Sequence, residues 1–130
     1  MTELQYVLLS AALTWVMLMT ASLMRSRAWT PDGLKFAFGN RDETPTPSPL
    51  AGRLERASRN MLENFLFFAA VVVIARDRGL TSDVLALPCA VFFWARLAYF
   101  AAYAAGIPYL RTAIWTVSVG AIAWIAWLAW

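Results

Sequence analysis

The sequence predicts an all-α integral membrane protein, a four-transmembrane-helix bundle, and three observations carry that prediction. Of its 130 residues 61% are hydrophobic and only 15% charged, against about 25% charged in soluble domains, so too few polar side chains remain to coat a soluble core. Residues 4–24 and 112–130 contain no charge at all, and each is long enough to cross about 30 Å of hydrocarbon at about 1.5 Å per residue. Between them lie two more apolar stretches, 49–75 and 82–105, whose cores are broken by Glu63 and Arg96 respectively. Folded as short helices in a soluble cap, they would leave Val71-Val72-Val73-Ile74 and Ala90-Val91-Phe92-Phe93-Trp94 with no core to enter. Both are therefore read as membrane helices carrying an ionisable residue.

The first span, 4–24, is expected to stay on the protein. Its leading stretch Met1-Thr2-Glu3 carries an acid and no basic side chain, its apolar run is too long for a signal peptide, and Arg25-Ser26-Arg27 reads as a stop. Residues 34–49 are read as the one real loop, a linker kept extended by Pro45, Pro47 and Pro49, with Gly39-Asn40-Arg41-Asp42 as a turn. The second span ends at the polar hairpin Arg76-Asp77-Arg78-Gly79, and Asp83 suits the dipole at the start of the third. Gly106-Ile107-Pro108 closes the third span and opens the fourth, 108–130. The whole chain, 1–130, is one domain.

Composition also excludes chemistry. There is no histidine, so imidazole catalysis is excluded, and the lone Cys89 excludes an internal disulfide and a cysteine metal site. Cys89 is read as a small packing residue. The net charge of +3 is concentrated rather than spread: Arg25, Arg27, Lys35, Arg41, Arg53, Arg56, Arg59 and Arg111 flank the first and third loops, whereas the second holds Arg76 and Arg78. That asymmetry predicts membrane orientation, with the first and third loops cytoplasmic, and not nucleic-acid binding. Lipids are the expected surroundings.

The second span opens with a polar stripe. Arg56, Asn60, Glu63 and Phe67 fall on one helix face, as do Arg96, Tyr99 and Tyr103 on the third span. Glu63 lies thirteen residues before Arg76 and Arg96 thirteen after Asp83, about 20 Å along each helix. In an antiparallel pair Glu63 then meets Arg96 in depth, Asn60 comes near Tyr99, and Arg56 near Tyr103. Glu63 with Arg96 alone reads as a register-fixing ion pair. The whole set reads as a site for a small anionic polar molecule, with guanidiniums for carboxylates, Asn60 and Glu63 for an amide or ammonium group, and tyrosines for hydrogen bonds.

These residues also carry a resemblance. Arg56-Ala57-Ser58-Arg59-Asn60-Met61-Leu62-Glu63 resembles the signature of the MAPEG family, the membrane-associated proteins in eicosanoid and glutathione metabolism. Gly39-Asn40-Arg41-Asp42, Ala95-Arg96-Leu97-Ala98-Tyr99, Tyr103 and Gly106-Ile107-Pro108-Tyr109-Leu110-Arg111 extend the likeness over nearly the whole chain, especially to bacterial members. The resemblance implies a homotrimer of four-helix protomers in a bacterial inner membrane, with glutathione as bound co-substrate between protomers. It implies glutathione contacts at Arg56, Asn60, Glu63, Tyr103 and Arg111, a place for Tyr99 in the same site, a thiolate-stabilising role for Arg111, and a helper role for Thr112. Arg96 joins the ligand-binding set through its stripe with Tyr99 and Tyr103. Asn64 departs from the leukotriene synthase branch, which has a tyrosine there. A glutathione-dependent transferase or peroxidase acting on a lipophilic substrate is the activity implied. A non-catalytic accessory or lipid-binding protein of the same fold, marked by absence of glutathione binding, is the alternative, and a transporter through Glu63 and Arg96 is a third.

Overall fold

The computed structural model describes residues 1–41 and 46–130; Asp42 of the expected turn and Pro45 of the expected linker lie outside these. It contains helices α1 (Glu3–Ser26), α2 (Pro31–Phe38), α3 (Pro49–Asp77), α4 (Ser82–Ala105) and α5 (Pro108–Ala129). All but α2 are long and apolar enough to cross a membrane. Together they make the four-helix membrane bundle that the sequence predicts.

Local signals set the helix ends. At α1, the Thr2 hydroxyl accepts from the Gln5 amide and the Gln5 side chain accepts from the Thr2 amide, a reciprocal cap. Ser48 caps α3 through the Ala51 amide, followed by Pro49 at the first helical position. Gly106 ends α4 at φ 77°, a conformation that only glycine adopts without strain. The Gly106 and Ile107 amides donate to Tyr103 and Ala102 carbonyls, and Pro108 starts α5 at once. Pro88 sits buried inside α4, tolerated because neighbouring helices enclose the backbone it frees.

The helix α2 corrects the expected loop. It occupies residues 31–38, and it forms because Thr30 caps it through the Gly33 amide at 3.0 Å while Pro31 fixes its first turn. Arg27, at φ 51°, ends α1 in the left-handed region, and its carbonyl accepts from both the amide and the hydroxyl of Thr30. The charged tripeptide is thus a corner as well as a stop. Gly33 is buried against that corner; a Cβ there would lie 2.0 Å from the Arg27 carbonyl oxygen.

The helices α3 and α4 form the centre. Each packs on α1 and on α5, whereas α1 and α5 do not meet. Phe68 of α3 stacks on Phe92 of α4, centroids 3.9 Å apart and planes within 10°. Met17, Met61, Val72, Leu85, Cys89 and Ile125 complete the fully buried interior, so Cys89 is a packing residue as its apolar neighbours suggested. Large apolar side chains such as Leu8, Trp15, Leu66, Phe67, Trp94 and Trp127 point outward, which suits lipid and would be a liability in water. Antiparallel α1 and α3 are tied at both ends: Arg25 pairs with Glu55, and Arg76 reaches Glu3 at 3.3 Å. Glu3 is 1% exposed.

Candidate functional site

The first turns of α3 alternate buried Leu54, Ala57, Ser58 and Met61 with polar residues at the helix edge. That alternation turns Arg56 and Asn60 toward α4. The Arg56 Nε donates to the Tyr103 hydroxyl at 3.3 Å, and Arg96 Nη1 donates to Asn60 Oδ1 at 2.9 Å. Tyr99 and Tyr103, one helical turn apart, meet edge to face with centroids 5.4 Å apart and planes at 62°. The sharp Gly106–Pro108 turn then brings α5 back beside them. It sets the Arg111 guanidinium over the Tyr103 ring at 4.8 Å from the centroid, within cation–π range.

Asn60, Tyr99, Tyr103, Arg111, Thr112 and Trp115 line one open pocket of about 260 Å³ between α3, α4 and α5. Among the described residues no carboxylate lines it, and Arg56 and Arg96 stand immediately behind its walls. Glu55, beside Arg56 in sequence, is engaged by Arg25 and, at 3.5 Å, by Arg59. The site is therefore positive and rich in donors, an arrangement that accepts an anion. Among the described residues no cluster of His, Cys, Asp or Glu could hold a metal ion.

Five residues expected in the site on sequence grounds, Asn60, Tyr99, Tyr103, Arg111 and Thr112, share the pocket wall. Arg56 reaches it through the Tyr103 hydroxyl. Arg96 does not line it: the side chain is 0% exposed, closed in behind Asn60 between the rings of Phe92 and Tyr99, whose centroids are 5.4 and 5.5 Å away. The expected Glu63–Arg96 pair is absent among the described residues; Asn60 shares the pocket wall with Tyr99, and its side-chain oxygen is bonded to Arg96. The depth register itself holds, as Arg56–Tyr103 and Phe68–Phe92 demonstrate. Rotation is what differs. Glu63 lies about 60° around the helix from Asn60, and its side chain is exposed on the outer face of α3.

Trp115 is the wall residue absent from the set expected on sequence grounds. The available signal was spacing: Trp115 is four residues after Arg111 and so shares its helix face.

No individual curated protein matches the chain. The profile of the MAPEG family matches residues 4–130, nearly the whole length and every residue of the pocket, and the protein belongs to that family.

Proposed function

We propose that the protein is a glutathione-dependent membrane enzyme, a transferase or peroxidase, that activates the glutathione thiol for attack on a lipophilic electrophile or hydroperoxide. One observation carries this reading above the others: Asn60, Tyr99, Tyr103, Arg111 and Thr112, drawn from three helices, converge on one positive pocket that no acid lines among the described residues. An acidic tripeptide fits such a wall through its carboxylates and carbonyls. Arg56 and Asn60 belong to anchoring, Arg111 and the tyrosines to the thiol. A thiol with an ordinary pKa near 8.5 is mostly protonated at neutral pH, and a guanidinium beside it favours the anion. Arg111 is half-buried one turn into α5, where its charge is less screened than in bulk water. Thr112 donates to the Pro108 carbonyl at 3.3 Å, which leaves its oxygen free as an acceptor.

The reading includes a homotrimer with the first and third loops cytoplasmic. Glu63 supports the oligomer: a carboxylate exposed at mid-span is expensive against lipid, and a second copy over that face of α3 would shield it. The pocket lies at the end of the bundle that carries most of the arginines, which agrees with the cytoplasmic placement.

Calorimetry of glutathione binding to the detergent-purified protein tests the reading, with Arg56→Ala and Arg111→Ala in parallel. Arg56→Ala is expected to weaken binding about tenfold or more, as loss of a charge-assisted anchor does. Arg111→Ala is expected to abolish the ultraviolet thiolate signal of bound glutathione. Absence of binding at millimolar glutathione would sink the enzyme reading and favour a non-catalytic role for the fold.

A further inference from the structure

We infer that Arg96 is a positioning residue that fixes the Asn60 amide with its NH₂ toward the pocket, so that this wall takes a ligand only by an anionic or carbonyl, hydrogen-bond-accepting end. The inference rests on reading the pocket as a glutathione site, and it assigns which part of the ligand meets Asn60.

The inventory of donors and acceptors fixes which way the amide faces. A guanidinium has five N–H donors and no acceptor, so the Asn60 atom 2.9 Å from Arg96 Nη1 has to be the carbonyl oxygen. The other end of a planar amide then points away from Arg96. Asn60 lines the pocket and Arg96 does not, so the NH₂ is the group Asn60 presents there. A ligand ammonium at that point would meet two N–H donors with the Arg96 charge behind them. The sequence expectation that Asn60 receives an amide or ammonium group is narrowed accordingly: a carboxylate or carbonyl oxygen fits and an ammonium does not.

Arg96 is well placed for this single task. It is wholly buried, its guanidinium lies against the faces of Phe92 and Tyr99, and no acid pairs with it among the described residues. Its Nε and Nη2 make no hydrogen bond among the described residues. Asn60 Oδ1 is thus its only polar partner there, and the bond is directional as well as charge-assisted. A register lock would use a carboxylate; a neutral amide holds the charge while leaving donors for something else.

The chain has three asparagines, Asn40, Asn60 and Asn64, so selective ¹⁵N-asparagine labelling gives three side-chain amide signals. In the ligand-free protein, Arg96→Met is expected to move the Asn60 NH₂ signal and broaden it as the amide gains freedom, while the Asn40 signal stays. Arg96→Lys, which keeps a donor, is expected to fall between. The binding arm uses Asn60→Asp. That variant keeps a partner for Arg96, so its melting temperature in detergent is expected to hold or rise, but it replaces pocket-facing donors with an acceptor. Glutathione affinity is expected to fall about tenfold or more, because a buried acceptor then faces the ligand's own acceptors. If Arg96–Asn60 is only a structural contact, Asn60→Asp binds as the wild type does and the inference is overturned. If the wild type binds no glutathione, the functional reading fails on its own, and the amide signal alone decides whether Arg96 orients Asn60: an Asn60 signal unmoved in Arg96→Met overturns the inference.

Discussion

At the scale of single residues, the Tyr103 hydroxyl ties the two halves of the pocket, because it accepts from Arg56 on α3 while its ring carries the Arg111 guanidinium from α5. Tyr103→Phe removes the first contact and keeps the second. We expect glutathione affinity to fall about fivefold, the value of one hydrogen bond to a half-solvated cation, with the thiolate signal retained. A lost thiolate signal would show that the hydroxyl itself acts on the thiol. Much of this wall was legible in the sequence. Spacing placed Arg56 opposite Tyr103, since an antiparallel pair joined by a short hairpin fixes depth by counting. Glu63 and Arg96 were not legible as they stand, because counting fixes depth and leaves rotation about each helix axis free. The difference of about 60° between Asn60 and Glu63 is enough to take one into the pocket and the other to the outside.

At the scale of elements, α2 is held by a contact that tolerates no added atom. The Gly33 neighbours are the backbone carbonyls of Ser26 and Arg27, which cannot step aside as a side chain would. Gly33→Ala is therefore expected to detach α2 from the end of α1. Limited trypsin digestion checks this, with cleavage after Lys35 rising several-fold and the melting temperature of the bundle little changed, since α1 is the only described helix on which α2 packs. Unchanged digestion would mean that α2 is held from another side. The same glycine explains why α2 was missed: Gly33 inside an eight-residue helix reads as a breaker, although Thr30-Pro31-Asp32 is a helix start. The long helices were legible because charge-free runs and Gly–Pro punctuation need no tertiary information. Where α3 and α4 meet, Phe92 supports both packing and site. Phe92→Ala is expected to destabilise the bundle by on the order of 3 kcal/mol, measured by thermal unfolding in detergent, and it strips one face of Arg96 as well.

At the scale of the whole molecule, the distribution of charge predicts how the bundle sits. Cysteines placed at Gly79 and Ile107 in a Cys89→Ser background are expected to react with impermeant thiol reagents from opposite sides of the membrane, Ile107 from the cytoplasmic one. Reaction of both from one side would overturn the four-span topology. Oligomerisation has its own probe in Glu63. If a second copy covers that face, Glu63→Leu lowers the proportion of oligomer in native mass spectrometry; if lipid covers it, the proportion holds and the melting temperature rises. The four-helix class needed only composition and run lengths, whereas no pattern in one chain states what lies across Glu63.

The Glu3–Arg76 contact has a consequence for assembly. It joins the opening turn of α1 to the closing turn of α3, two points separated by most of the synthesis of the protein. A carboxylate that ends up 1% exposed has no partner while α1 is the newest segment in the membrane, so until α3 arrives it stays at the water boundary, where its hydration is intact. The vertical seat of α1 is therefore provisional through the early steps and is latched only when Arg76 emerges.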